Sequence, residues 1–252
     1  MQSAYYDAMA PFSHLLFANW DRFQTWQLEK LSSHLPKPSP DVRIIDFACD
    51  IGTQLVPLAQ AGFTVSGIDS SALCVQRCRR ELGARELRAD VHHCDFVQEP
   101  DDMRWASEAF DVALLMDNYI FHAADDDEVF TALRCIRNSL KPGGVALVAF
   151  RAYDDANARP TVTVPTFYAE ESSRRFVHQV WDWQDESCYD FHLYLNVQDS
   201  EGTWAALHFV GRYRPVPHDR LAQIARAAGF RSVELIEPER TQYHRWLLKA
   251  QA

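Results

Sequence analysis

Carboxylates recur at the ends of apolar runs in this sequence, at spacings suited to a ribose-bearing ligand. Arg43-Ile44-Ile45-Asp46-Phe47 reads as a buried strand, Ala48-Cys49-Asp50-Ile51-Gly52-Thr53 as a tight turn of small residues, and Val65-Ser66-Gly67-Ile68-Asp69 as a second strand ending in an acid. Asp69 lies 23 residues after Asp46, close to the ~20-residue offset at which an acid beyond the second strand accepts hydrogen bonds from ribose hydroxyls. Ser70 beside it, Asp95-Phe96, Met116-Asp117-Asn118-Tyr119 and Arg151 stand at the ends of the same or later apolar runs. Ligands of an open α/β sheet bind at the carboxyl ends of its strands, so these residues are candidates for a single site.

The turn lacks the Gly-x-Gly-x-x-Gly spacing that brings a backbone close to a pyrophosphate, and Asp50 stands where a glycine is expected. A carboxylate there repels a dinucleotide. It is compatible with a zwitterionic sulfonium, whose amine it can bind, so S-adenosylmethionine fits the turn better than NAD. A plainer reading is that Asp tolerates the left-handed backbone of a tight turn. Methyl transfer from a sulfonium is an in-line displacement, in which the protein mainly aligns a neutral nucleophile and excludes water. Aromatic rings suit the cationic centre, at ~0.5–2 kcal/mol each, and Tyr6, Tyr119 and Phe121 are candidates. An ammonium nucleophile must first lose a proton, for which His122 is the candidate base; the alternative is a structural histidine at the start of a helix. Cys74 and Cys78, and the run His92-His93-Cys94, were weighed as zinc ligands. Neither has a Cys-x-x-Cys spacing, and adjacent strand residues point to opposite faces, so no metal is expected.

Strands and helices alternate around these positions. The pattern predicts strands over Arg43 to Phe47, Thr64 to Ile68, Leu87 to His93, Phe110 to Met116 and Gly144 to Phe150, with helices near Gln54 to Ala61, Ser71 to Leu82 and Asp126 to Ser139. Before them, residues from about Tyr5 to Leu35 read as helical and aromatic, ended by Pro36, Pro38 and Pro40. This segment is either a helix packed on the core or a lid over a cofactor. After Arg151 the period changes to two. Runs from Arg174 to Trp183, Cys188 to Gln198 and Trp204 to Arg214 predict an antiparallel meander, with Asp190, His192, Tyr194 and Asn196 on one face and Tyr189, Phe191, Leu193 and Leu195 on the other. A helix from about His218 to Ala228 and strands near Ser232 to Ile236 and Tyr243 to Ala250 complete the core, the last placed antiparallel at or near a sheet edge.

The fold class expected is α/β, a Rossmann-like seven-stranded, mostly parallel sheet with helices on both faces. Residues 1–40 form the lid, 41–155 and 216–252 the core, and 156–215 an inserted antiparallel subdomain. At 252 residues and 47% hydrophobic, the chain suits one such body. A net charge of -10 argues against a sequence-independent grip on nucleic acid or an anionic membrane and favours a small-molecule partner. The first ten residues lack a basic and apolar leader, no apolar run approaches the ~20 residues of a membrane span, and six scattered cysteines suit reduced thiols, so a cytoplasmic location is expected.

The order and content of these segments resemble a class I S-adenosylmethionine-dependent methyltransferase, and more narrowly the glycine N-methyltransferase-like group, over nearly the whole chain. The residues from Asp46 to Thr53 match that group's Asp-x-Ala-Cys-Gly-x-Gly-Thr except at Asp50. Asn118-Tyr119-Ile120-Phe121-His122 resembles its Asn-x-x-x-His segment, and Arg151-Ala152-Tyr153-Asp154 its Arg-Asn-Tyr-Asp. The resemblance implies that Asp46, Ala48, Asp50, Gly52 and Met116 surround the methionyl and ribose portions. It implies that Asp69 with Ser70 holds the ribose and that Asp95 with the Phe96 amide reads the adenine. Asn118 and Arg151 match positions that hold a small substrate's carboxylate, flanked by Tyr119, and Tyr168, Tyr194 and Tyr213 loosely match active-site tyrosines. Arg22 is the nearest arginine to the position that grips the cofactor carboxylate in that group.

Three functions follow as expectations. The first is N-methylation of a small polar, carboxylate-bearing molecule, with His122, Tyr6, Asn118 and Arg151 as the catalytic group. The second is other chemistry on the same cofactor, such as its cyclisation to a cyclic amino acid, motivated by Asp50. The third is a non-catalytic module with a degenerate turn. The sequence does not decide the oligomeric state.

Overall fold

The computed structural model describes residues 2–153, 161–163, 165–169 and 174–252. The chain runs α1 (Gln2–Met9), α2 (Trp20–Leu31), β1 (Arg43–Phe47), α3 (Leu55–Gln60), β2 (Thr64–Asp69), α4 (Ala72–Ala84), β3 (Asp90–His93), β4 (Phe110–Leu115), α5 (Asp126–Ser139) and β5 (Leu140–Phe150). It continues through β6 (Thr166–Tyr168), β7 (Arg175–Trp183), β8 (Tyr189–Gln198), β9 (Trp204–Tyr213), α6 (His218–Ala227), β10 (Ser232–Ile236), α7 (Pro238–Thr241) and β11 (Trp246–Gln251). Short 3-10 turns cover Ser13–Leu16, Ser32–His34, Pro100–Ala106 and Tyr119–His122.

Seven strands form one sheet in the order β10-β11-β5-β4-β1-β2-β3. β1 to β5 are mutually parallel, and β11 is antiparallel to both β10 and β5. The Rossmann-like class read from the sequence is therefore the fold. Strand order reverses at β1, which has β2 on one side and β4 on the other. This is the switch point at which crossover helices leave to opposite faces and a crevice opens at the strand ends. The central strands are buried on both faces: after Arg43 every residue of β1 is buried, as expected for parallel strands covered by helices on each side. Helix starts are fixed locally, Ser71 accepting from the Cys74 N–H and Asp125 from the Glu128 N–H.

The remaining strands form a four-stranded antiparallel sheet, β6-β7-β8-β9. It has one strand more than the predicted meander, because β6 is only three residues long and too short to show a period. Phe191 of β8 lies flat on β9, over Gly211, where a Cβ would collide with its ring.

Other elements differ from the expectation too, β5 starting at Leu140 rather than Gly144 and β11 at Trp246 rather than Tyr243. The single N-terminal helix is two helices joined through the Ser13–Leu16 turn; Pro11 interrupts the ladder after α1, and Asn19 restarts it by capping Arg22 N–H. The third strand begins at Asp90 rather than Leu87, since Leu87 N–H still bonds back to Leu82 in the turn that closes α4. The gap from Glu237 to Gln242 holds the short α7, with Pro238 at its first turn. Among the described residues no helix is long and apolar enough to cross a membrane.

Candidate active site

A cavity of about 410 Å³ opens at the carboxyl ends of β1, β2, β4 and β5, roofed by α1 and the turn after it and walled by the antiparallel sheet. Its size is that of a small-molecule site. The turn after β1 builds one end. Ala48 and Asp50 take left-handed backbone (φ 59° and 47°), as does Asp117 after β4 (φ 56°). Asp50 therefore occupies the strained turn position that Asp tolerates, and it also lines the cavity.

Asp69 is the hub of this end. One carboxylate oxygen accepts from Asp50 N–H (2.9 Å), the other from Ser71 N–H (2.8 Å). Burial, and next the Asp50 carboxylate, push its pKa up to about 7. Burial also raises Asp50, against the lowering effect of the Cys74 thiol that donates to it at 3.1 Å. Asp46 lies behind the turn, wholly buried, and does not line the cavity. Burial raises its pKa far above the carboxylate range, and neither oxygen has a partner among the described residues. Gly52 is likewise internal: at φ 98°, a Cβ would press on Cys78 Sγ at 3.1 Å. Both support the turn rather than touch what it holds.

A recess of about 30 Å³ adjoins the cavity through Tyr119, which lines both. Asp95 borders it and accepts N–H bonds from Val97 and Gln98, leaving its second oxygen without a protein hydrogen bond among those seen. Phe96 is buried and stacks on Tyr119 at 5.6 Å. Ser70 bonds to Tyr119 and, through its carbonyl, to His93.

At the other end, Asn118 and Arg151 meet as expected, although not side by side. The Asn118 carbonyl oxygen accepts from the Arg151 backbone N–H at 2.9 Å, tying the end of β4 to the end of β5. No hydrogen bond of the Asn118 amide nitrogen is seen among the described residues. The Arg151 guanidinium lies 4.7 Å over Trp181 of the antiparallel sheet. Tyr213 lines the cavity, stacked on Phe191 at 4.4 Å.

His122 stands one layer back, behind Tyr6. Its Nδ1 is 3.0 Å from the Arg212 carbonyl oxygen, and its Nε2 is 2.9 Å from the Tyr6 hydroxyl. A carbonyl only accepts, so Nδ1 carries the proton, Nε2 is the bare nitrogen, and the Tyr6 hydroxyl donates to it. Burial drives the imidazole pKa down to about 3 and the phenol pKa far up, so both are neutral at ordinary pH. The cavity meets the pair only through Tyr6.

Besides the residues already placed behind or beside it, three more predicted residues fall outside the cavity. Tyr194 points to the opposite face of the sheet, stacked between His178 (5.0 Å) and His208 (4.6 Å). The apolar face of β8, with Tyr189, Phe191 and Leu193, is the one that meets the cavity. Tyr168 donates to the Leu16 carbonyl and braces the roof from outside. Arg22 is exposed on α2. Asp154 lies outside the described residues. Sequence reading missed Tyr5, Gln179, Trp181, His244 and Arg245, all of which line the cavity. Pairing of β11 with β5 was the available signal, since it brings residues just before Trp246 beside those just after Phe150.

Residues 44–144, which include the turn, Asp69, Asp95 and Asn118, match the family described as a methyltransferase domain. The fold around that stretch is shared with solved methyltransferase structures, one of which holds S-adenosylmethionine. The ubiquinone biosynthesis O-methyltransferase of Brucella ovis is 30% identical over 114 residues, 45% of this chain and 43% of that protein. The chain thus spans less than half the length of this curated relative. Two solved structures share the fold over most of the chain. The sugar N-methyltransferase KedS8 of Streptoalloteichus superposes with a TM-score of 0.71 at 18% identity, covering 92% of this chain and 87% of that one. CalS10 of Micromonospora echinaspora, an amino pentose methyltransferase with S-adenosylmethionine bound, gives 0.71 at 18%, over 92% and 91%.

Proposed function

We propose that this protein methylates a nitrogen of a small polar molecule that bears a carboxylate, using S-adenosylmethionine. The observation that carries the reading is one cavity that joins the Asp50–Asp69 turn to Tyr6 and to Arg151. In this reading the Asp69 carboxylate accepts from the ribose hydroxyls, Asp95 and the Phe96 amide hold the adenine in the recess beside Tyr119, and Asp50 with the Ala48 backbone faces the methionyl amine. The cofactor supplies an electrophilic methyl on a sulfonium. The chain's own groups orient the acceptor, strip it of water and keep its nitrogen neutral. Arg151 and the Asn118 amide nitrogen offer donors to a carboxylate. Tyr5, Tyr6 and Phe191 surround the reacting centre with ring faces and no fixed charge.

The Tyr6–His122 pair gives the acceptor nitrogen a fixed hydrogen-bond acceptor. A hydroxyl that donates to His122 presents its oxygen lone pairs to the cavity, so Tyr6 can accept an N–H from the acceptor amine and aim its lone pair, while His122, with its pKa near 3, fixes the hydroxyl's orientation and the ammonium's proton leaves to solvent before transfer. A glycine N-methyltransferase-like assignment rests on the Asn118-to-His122 and Arg151 segments, and nitrogen as the acceptor agrees with KedS8, a sugar N-methyltransferase. The layout that supports this role is a lid over 1–40, a core over 41–155 and 216–252, and an acceptor-facing insert over 156–215. The excess of acids favours small molecules over nucleic acid and fits a cytoplasmic enzyme.

The test is release of S-adenosylhomocysteine from S-adenosylmethionine in the presence of a panel of amino acids and amino sugars. Amine-dependent product supports the reading. Micromolar cofactor binding with methylthioadenosine formed in the absence of any acceptor overturns it.

A further inference from the structure

Arg245 is a cation in the cavity that the proposed function leaves without a task. Its position follows from the sheet: β11 enters antiparallel to β5 with Trp246 opposite Phe150, so Arg245 and Arg151 leave adjacent strands side by side at the cavity rim. The Arg245 guanidinium is poorly satisfied by protein. Its Nε is buried with no partner, and the hydrogen bond seen for its side chain is a long one, 3.4 Å, from Nη1 to the His244 carbonyl. An unpaired buried N–H on a cation is costly, and the cost is removed by an anionic acceptor. Arg151 stacks over Trp181 at 4.7 Å and hydrogen-bonds to the Tyr153 hydroxyl. Both guanidiniums act on the same two phenols, Tyr153 and Tyr213, and so occupy one end of the cavity.

Among the described residues Asp117 is a carboxylate that Arg245 influences, but its hydrogen-bonded partner is His244, at 3.4 Å. We propose that Arg151 and Arg245 together form a carboxylate clamp for the acceptor, with Arg245 setting the specificity for a carboxylate over its uncharged analogues. The proposal rests on the methyltransferase reading of the same cavity. Two planar forks on neighbouring strands can each give a bidentate face, or share the two oxygens of one carboxylate, and no neutral amide offers the same two acceptors.

A carboxylate has two possible sources here, the acceptor and the amino-acid end of the cofactor. The experiment is binding, which separates it from turnover. Protein saturated with S-adenosylhomocysteine is titrated with two matched pairs, acetate against acetamide and glycine against glycinamide, by ligand-observed NMR. The clamp predicts that each carboxylate binds at least tenfold more tightly than its amide, that Arg245→Gln erases the difference, and that Arg245→Lys restores part of it. Equal binding within the pairs on the wild-type protein, or an undiminished preference in Arg245→Gln, overturns the clamp. In the second arm, S-adenosylhomocysteine is compared with methylthioadenosine, which lacks the amino-acid end. Unchanged affinity of Arg245→Gln for both supports the acceptor as the source. A tenfold loss for S-adenosylhomocysteine alone overturns that assignment, because the clamp then holds the cofactor. Absence of methyl transfer to any amine sinks the proposed function and leaves these binding results standing.

Discussion

Asp69→Asn tests the ribose assignment through its dependence on pH. Burial and the Asp50 carboxylate hold the Asp69 pKa at about 7, against an unperturbed value of 3.8. A carboxyl with a raised folded-state pKa keeps its proton on folding. Its contribution to stability is full below pH 3.8, falls as pH rises through that value, and reaches its final penalty above about pH 7. At about 1.4 kcal/mol per unit, the swing attributable to this one group is about 4 kcal/mol. Asn cannot ionise, and it keeps an oxygen for one of the two N–H bonds from Asp50 and Ser71. Urea denaturation of both proteins between pH 5 and 8 therefore gives curves that diverge, the wild type losing stability relative to the variant by most of that amount. Ligand binding runs the other way. Ribose hydroxyls donate to an ionised Asp69, so calorimetric affinity for S-adenosylhomocysteine rises about tenfold from pH 6 to pH 8 in the wild type and is weak and flat in the variant. Parallel stability curves, or a wild-type affinity indifferent to pH, refute the reasoning.

Tyr6→Phe removes the hydroxyl that links the cavity to His122 and is expected to lower kcat by about 10²-fold or more with little change in cofactor affinity, read by S-adenosylhomocysteine release. Arg175→Gln withdraws the guanidinium that holds the carbonyls of Leu15, Phe17 and Ala18 beneath the roof; a loss of about 3 kcal/mol in unfolding free energy and faster hydrogen exchange over residues 13–18 are expected. Gly211→Ala drives a Cβ into the Phe191 ring and is expected to cost about 1–3 kcal/mol by thermal denaturation while weakening acceptor binding. Tyr194→Ala, on the solvent side of the same sheet, is expected to leave kcat/KM within twofold.

Local patterns made much of this molecule readable. β1 from Arg43 to Phe47 and α5 from Asp126 to Ser139 begin and end where apolar runs, caps and the period of the sequence place them. The offset from Asp46 to Asp69 located a real convergence, because a strand, a tight turn and a crossover helix have fixed lengths. What stayed hidden depends on contacts between distant segments. Period-two alternation sorted Tyr194 from Tyr189 and Phe191 correctly, yet it says nothing of which face a lid and a core will cover. The sequence around Arg245 has no motif; its role in the cavity comes from pairing with a strand nearly a hundred residues away. His122 was legible as a residue of interest, but its tautomer is set by the Arg212 carbonyl, a backbone atom that carries no side-chain signal.

The line from Tyr6 through His122 to the Arg212 carbonyl joins three separate stretches of chain: the N-terminal helix, the end of the central sheet and the last strand of the antiparallel sheet. An imidazole in water titrates near 6.5, while this one, once enclosed, is held at about 3. Assembly of the three stretches around His122 is therefore a deprotonation event: between about pH 3 and 6.5, enclosing the imidazole expels a proton to solvent, and opening it takes one back. His122 thus registers a coincidence, its imidazole neutral and dry only while all three stretches are in place.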